Sequence, residues 1–226
     1  MKKVAFYGGS FDPLHNGHLT IARRLTKLFA FDQFFFVPAF HAPHKKDKTL
    51  TSAFHRFAML CLATESEKKI RVSTVEFDAP EKPFTFETQV KLKSESSDAE
   101  IFFVIGADSW AEINTWREWG KVLTLTNIIV VTRPAYEINF SHVTNEIKAR
   151  IIDLRKEELR ITNYELRVTK DQKPKNKDQK IYITDAVNLD VSAREIRRKI
   201  RAGESDWREL VPLQVAKYIE KYELYI

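Results

Sequence analysis

What most constrains this chain is a pattern that recurs along it: a short apolar run, a turn, then a longer stretch whose apolar residues fall at helical spacing. Repeated strand-then-helix units specify an open α/β sheet with mostly parallel strands, because each return to a parallel neighbour needs a long crossover. The first unit predicts a strand over 3–7, a turn over 8–16 and a helix from about Gly17, with Ile21, Ala22, Leu25, Leu28 and Phe29 as its inward stripe. A second strand is predicted over 33–37, stopped by Pro38. Thr51 or Ser52 is then expected to cap a helix whose apolar face is Phe54, Phe57, Ala58, Cys61 and Leu62, with Cys61 buried. Further strands are predicted over 70–75, 101–105, 128–131 and 180–184. Helices are predicted near Thr85, over 144–159, over 193–202 before Gly203, and over 212–223. The run KDQKPKNKDQK at 170–180 reads as an exposed, solvated loop. In a sheet of this kind ligands bind beyond the carboxyl ends of the strands, so function is expected there.

Composition narrows the class further. The 226 residues fit one domain, 1–226, whose last part, about 190–226, is helical. Hydrophobic residues at 43% beside 30% charged residues supply a core and exclude wholesale disorder. The net charge of +6 favours anionic partners without separating nucleotides from nucleic acid. A single cysteine excludes a disulfide framework and a cysteine-rich zinc site, and suits a reducing compartment. No apolar stretch approaches the roughly 18 residues of a membrane span, and the glycine pair interrupts any secretory core. The expectation is a soluble, cytoplasmic protein with no membrane partner, monomeric or homodimeric.

Chemistry gathers between the first strand and the first helix, in Gly8-Gly9-Ser10-Phe11-Asp12-Pro13-Leu14-His15-Asn16-Gly17-His18. Backbone N–H groups and the positive end of a helix dipole face an anion there. The glycine spacing matches neither the dinucleotide fingerprint nor the P-loop, and no Lys follows. Two imidazoles flank Gly17 instead, leaving room for a polyphosphate across both rings. Zinc binding would need a third ligand, which is not apparent locally, and plain helix capping is the blander alternative.

The segment resembles G-[ST]-F-D-P-x-H-x-G-H, with Leu14 at the variable position, the first motif of nucleotidyltransferases that join a nucleoside monophosphate to a phosphorylated acceptor. The resemblance implies a Rossmann-like, doubly wound, adenine nucleotide α-hydrolase-like fold. It also implies direct attack of the acceptor phosphate on the α-phosphorus of ATP, with pyrophosphate leaving and no protein nucleophile. Gly8, Gly9, Ser10 and Phe11 would then line ATP, His15 hold its phosphates, and His18 stabilise the charged α-phosphate in the transition state. Near the C-terminus Val191-Ser192-Ala193-Arg194-Glu195-Ile196-Arg197-Arg198 offers positive charge at another helix start. By itself a cationic helix face is commonly just solvated, but the segment is similar to the family's second motif, [IV]-S-[SA]-T-x-I-R. That implies catalytic roles for Ser192 and Arg197, while Arg194 replaces the usual Thr and would give ATP a further cation. Class I aminoacyl-tRNA synthetases also carry H-x-G-H, but this chain lacks a K-M-S-K-S-like segment and the length for tRNA-binding domains.

Further segments resemble one branch, the bacterial nicotinate mononucleotide adenylyltransferases. Ala42-Pro43-His44-Lys45 is similar to its P-P-H-[KR] loop, implying a contact from Lys45 to the triphosphate. Lys82-Pro83-Phe84-Thr85-Phe86-Glu87-Thr88 is similar to P-S-Y-T-x-[DE]-T. Thr85 is there expected as a helix N-cap, and backbone N–H groups beside Phe84 and Thr85 would receive the nicotinate carboxylate. Pro83 removes one such donor. In Ile105-Gly106-Ala107-Asp108-Ser109, Gly106 allows close approach and Asp108 would take the ribose hydroxyls. Trp116 would stack on the pyridine, with Trp110 and Trp119 left to packing. Arg133, after Val131-Thr132, would face nucleotide.

The resemblance therefore implies adenylyl transfer from ATP to nicotinate mononucleotide in NAD biosynthesis. Mg2+ would be carried by the ATP phosphates rather than a protein cage, and nucleic acid is not expected as a partner. Nicotinamide mononucleotide is the nearest alternative acceptor, another phosphorylated acceptor such as pantetheine phosphate fits the later segments poorly, and a non-catalytic nucleotide- or RNA-binding protein is the alternative from another class.

Overall fold

The computed structural model of the chain describes residues 1–40, 50–79, 83–132, 138–156, 179–185, 187 and 191–226. Its order is β1 (Lys2–Gly9), α1 (Asn16–Leu28), β2 (Gln33–Pro38), α2 (Ala53–Thr64), β3 (Ile70–Val72), α3 (Thr85–Glu95), β4 (Ala99–Gly106) and α4 (Ala107–Ala111). There follow a 3₁₀ turn (Ile113–Thr115), α5 (Trp119–Leu125), β5 (Asn127–Val131), α6 (Asn145–Lys148), β6 (Ile151–Asp153) and a second 3₁₀ turn (Leu154–Lys156). β7 (Ile181–Thr184), α7 (Ala193–Arg201), a 3₁₀ segment (Asp206–Leu210) and α8 (Leu213–Lys221) complete it.

The described strands form one seven-stranded sheet in the order β3-β2-β1-β4-β5-β7-β6. Every pairing is parallel. From β1 the chain winds outward through β2 and β3; from β4 it winds the other way through β5. The order reverses between β1 and β4, which opens a crevice at their carboxyl ends.

The strands are apolar on both faces, as helix-covered parallel strands must be. Ala5, Tyr7, Phe34, Phe36, Phe102, Val104, Ile129 and Val131 pack with α1, α2, α7 and α8 in one core. Their alternates Val4, Phe6, Ile101, Phe103, Ile105, Ile128, Val130, Ile181 and Ile183 pack on the other face with Leu92, Trp110, Val122, Leu123 and Ile147. Successive strand residues point to opposite sides, so one run feeds both cores. The stripe expected on α1 is inward: Ile21, Ala22, Leu25 and Phe29 are all buried.

Three local expectations are corrected. The helix expected over 144–159 stops after one turn, capped by Thr144 Oγ1 accepting from Ile147 N–H at 3.3 Å. Ile151 and Ile152 then pair with Ile181 and Tyr182, because β7 offers unpaired backbone groups and β-branched side chains suit that edge. On α2 the inward residues are Ala53, Arg56, Met59, Leu60 and Thr64, while Phe54 is 68% exposed. Arg56 turns inward to bind backbone carbonyls, which rotates the helix away from the face its apolar residues suggested, and Cys61 is exposed in consequence. Pro212 caps α8 rather than opening it. No described helix is long and apolar enough to cross a membrane.

The outer face of α7 is laced by exposed ion pairs. Arg198 meets Glu195 and Glu204, each at 2.7 Å, and Lys199 meets Glu204 at 2.9 Å and Asp206 at 2.7 Å. Hydrogen bonds from Arg198 and then Lys199 hold the Glu204 carboxyl down to about 2, from an ordinary 4.5. Since the folded value is the lower one, the unfolded chain takes up a proton first as pH falls. The stability this carboxylate contributes is therefore present above pH 4.5 and lost between 4.5 and about 2. The Tm difference between wild type and Glu204→Gln is expected to shrink over that interval and with added salt; a difference constant with pH would contradict the assignment.

Candidate active site

The crevice is floored by the ends of β1 and β4. A Cβ added to Gly8 would lie 2.9 Å from Phe103 Cζ, and one added to Gly9 2.9 Å from Phe11 Cζ, so both glycines let backbone press onto packed rings. Phe11 takes a left-handed backbone (φ 48°) that turns the chain out of the strand. Phe11 as a whole is 2% exposed, its ring set edge-on to Tyr7, His18 and Phe36.

His15 is the N-cap residue of α1, and His18 lies in its first turn. The two rings stack with centroids 3.7 Å apart. Nδ1 of His18 accepts the backbone N–H of His15 at 3.3 Å, which puts the proton of the neutral ring on Nε2 as a donor. The ring is further fixed by edge contacts with Phe11 at 5.0 Å and Tyr7 at 6.0 Å. A Cβ on Gly17 would approach His15 Nδ1 to 3.0 Å and Val191 Cβ to 3.9 Å. The absent side chain thus lets the His15 ring lie against the helix start and brings in the residue just before α7.

At α7, Ser192 is the N-cap residue and its Oγ accepts from Glu195 N–H at 3.2 Å. Arg197 turns toward the first motif, where its Nη1 donates to the Asp12 carbonyl. Arg198 is engaged by glutamates on the outer face, and Arg194 is exposed in the first turn. The two helix N-termini and both motif regions thus converge, although Asp12 and Arg197 are 185 residues apart.

Sequence reasoning missed what holds this arrangement. Asp12 is 3% exposed, and its carboxylate accepts from Tyr225 Oη at 2.7 Å and Thr51 N–H at 3.4 Å. Arg56, 1% exposed, donates to the carbonyls of Thr51, Ser10 and Ala39 at 2.9, 2.7 and 2.7 Å. Burial pulls the Arg56 guanidinium below its ordinary value, and Asp12 works in the opposite direction. A basic residue inside an apolar helical stretch was the available signal for Arg56.

A second group lies on the other side of β1. Phe84, not Thr85, is the N-cap residue of α3, because Thr85 is already helical. Glu87 Oε2 accepts the Phe84 N–H at 3.1 Å, satisfying one of the donors at this helix start. Arg117 lies 5.0 Å from the centre of the Phe84 ring and 3.4 Å from Glu87, so the segment following Trp116 faces the start of α3. Trp116 is half-buried against the core, whereas Trp110 is 1% exposed with its Nε1 donating to the Asn139 carbonyl. Glu76 ties this side to β2: it accepts from Phe40 N–H at 3.0 Å and Thr88 Oγ1 at 3.1 Å, and burial raises its carboxyl. Gly106 ends β4, where an added Cβ would meet Asp108 Oδ1 at 2.5 Å; Asp108 itself is exposed. Lys45 and Arg133 lie outside the described residues. Among the described residues no group of three or more His, Cys, Asp or Glu could hold a metal ion.

Comparison with known proteins adds independent observations. The family model described as cytidylyltransferase-like matches residues 6–199. A probable nicotinate-nucleotide adenylyltransferase of Clostridium tetani is 31% identical over 225 residues, covering 100% of this chain and 100% of its own. Another, from Nocardioides, is 32% identical over 218 residues, covering 96% of this chain and 91% of its own. Among solved structures, Plasmodium falciparum nicotinic acid mononucleotide adenylyltransferase complexed with NaAD superposes with a TM-score of 0.70 at 21% identity, covering 100% of this chain and 98% of that one.

Proposed function

The chain belongs to the cytidylyltransferase-like family and, within it, to the nicotinate-nucleotide adenylyltransferases, and from that premise we propose that it converts ATP and nicotinate mononucleotide to nicotinate adenine dinucleotide and pyrophosphate. The reading treats 1–226 as one nucleotidyltransferase domain working in the cytoplasm. A phosphate oxygen of the acceptor attacks the α-phosphorus of ATP, the bond to the β-phosphate oxygen breaks, and pyrophosphate leaves. Catalysis is then positioning and charge stabilisation, with no covalent intermediate on the protein.

The observation that carries this reading is the convergence of the stacked His15 and His18 with Arg197 beside the β1/β4 crevice. His15 holds the ATP phosphates, and the Nε2–H of His18 donates to the α-phosphate as its charge builds. Gly8, Gly9, Ser10 and Phe11 present backbone to ATP. Arg197 and the hydroxyl of Ser192 meet the phosphates, and Arg194 adds positive charge nearby. Asp108 accepts from ribose at Gly106, and Lys45 and Arg133 contribute further cations to ATP.

On the acceptor side, Trp116 stacks on the pyridine and the backbone N–H of Thr85, in the first turn of α3, takes the carboxylate beside Phe84, whose own N–H is held by Glu87. Mg2+ would travel on the ATP phosphates, which offer the hard oxygen ligands it takes, while the imidazoles and guanidiniums meet other phosphate oxygens. Held there, the ion would supply positive charge beside the leaving pyrophosphate.

Pyrophosphate release, measured with ATP and Mg2+ in parallel with nicotinate and nicotinamide mononucleotides, tests the reading. The acid acceptor is expected to be used at least tenfold better, equivalent to about 1.4 kcal/mol. Equal use would keep the enzyme and reject the carboxylate site. No release with either, together with salt-sensitive oligonucleotide binding, would replace the enzyme by a nucleic-acid-binding protein.

A further inference from the structure

Tyr225, next to last in the chain, reaches the first motif 213 residues away. After α8 the chain folds back on itself: Leu224 N–H bonds to the Ile219 carbonyl, and Glu223 and Tyr225 take left-handed backbones (φ 50° and 71°). This return drives the Tyr225 ring inward, where it is 9% exposed within the core beneath α1 and α8.

We propose that Tyr225 is a positioning residue for adenylyl transfer: through Asp12 it sets where the Arg197 guanidinium stands. The proposal rests on the phosphate-binding role given above to Arg197. Asp12 offers Arg197 two acceptors, a main-chain carbonyl and a carboxylate. The guanidinium takes the carbonyl, while Asp12 Oδ2 stays 3.9 Å away, beyond a direct hydrogen bond. The carboxylate is otherwise occupied, Oδ1 by the Tyr225 hydroxyl at 2.7 Å and Oδ2 by Thr51 N–H at 3.4 Å. Burial, then the neighbouring Asp12 charge, push the Tyr225 phenol well above its ordinary range, so it remains a donor at every working pH.

Without that donor, a carboxylate that is 3% exposed keeps an unsatisfied oxygen. The nearest side chain able to supply N–H groups is Arg197, whose planar fork matches a carboxylate bidentately. It would swing onto Asp12, and its charge would be neutralised there instead of facing the crevice. Tyr225 therefore keeps Asp12 from capturing Arg197.

The test is a double-mutant cycle read in both kcat and Tm, with Tyr225→Phe, Arg197→Lys and the pair. Tyr225→Phe keeps the ring and removes only the hydroxyl; it is expected to lower kcat about tenfold, with ATP KM changing less. In the Arg197→Lys background the same change is expected to lower kcat less than about twofold, because the fork it would release is already gone. The Tm loss from Tyr225→Phe should be equal in both backgrounds. Equal kcat losses in both backgrounds would make Tyr225 structural only and overturn the proposal, as would Tyr225→Phe with wild-type kcat. Arg197→Lys with wild-type kcat would overturn the role of Arg197 and the proposal with it. If Tyr225→Phe does not fold, it is made in an Asp12→Asn background, where no buried carboxylate is left unpaired and none can capture Arg197: there Tyr225→Phe is expected to lower kcat less than about twofold, and a tenfold loss would overturn the proposal.

Discussion

His18→Ala is expected to lower kcat by about 10² to 10³ while leaving ATP affinity within a few-fold, the effect of losing one donor aimed at transition-state charge. The reason is geometric. His18 is held by the His15 N–H on Nδ1, by the His15 ring stacked on it, and by the edges of Phe11 and Tyr7. Its remaining polar atom, Nε2, is thus oriented before substrate arrives, and little reorganisation is needed during the reaction. On the function proposed above, ATP affinity is spread over the helix N-terminus, His15 and Arg197, so removing one ring is expected to fall mainly on the chemical step. Steady-state kinetics with an ATP-binding titration checks this. A kcat within threefold of wild type would remove His18 from the mechanism, and a large loss of ATP affinity with kcat preserved would make it a ground-state ligand instead.

Arg56→Leu is expected to destabilise the protein by about 3–5 kcal/mol, the cost of removing a buried charged partner from several acceptors. At this chain length that is a fall in Tm of roughly 10 °C. The three carbonyls it binds belong to the motif loop at Ser10, Ala39 just after β2, and Thr51 at the entry to α2. Leu fills part of the space but offers no donor, and the carbonyls remain inside. Thr51 also touches Asp12, so the motif loop should loosen together with α2, and activity should fall below what the Tm loss at assay temperature explains. Thermal melts with and without ATP check this; a Tm within 2 °C of wild type would show that those carbonyls find other partners.

The alternation of apolar runs and helical stripes determined the parallel sheet. Strands such as β4 and β5 are apolar on both faces and so require helices on both sides. The junction around His15 and His18 was legible for the same local reason: glycines, a turn and two imidazoles fall within a dozen residues between a strand and a helix, where backbone N–H groups suit an anion. Ser192 as an N-cap was equally local. By contrast, the residues at 151–153 became a strand because β7 had an open edge, an alternative invisible within the segment. The rotation of α2 depended on carbonyls at Ser10 and Ala39, far from Arg56 in sequence.

Local pattern determined most of the elements and the β1-to-α1 junction, because backbone propensity, capping and helix dipoles act over a few residues. Only the tertiary structure decided that Arg197 turns onto Asp12 and that Tyr225 closes the motif loop. Those choices depend on hydrogen bonds between segments about 200 residues apart, which must be satisfied once buried and which no local pattern records.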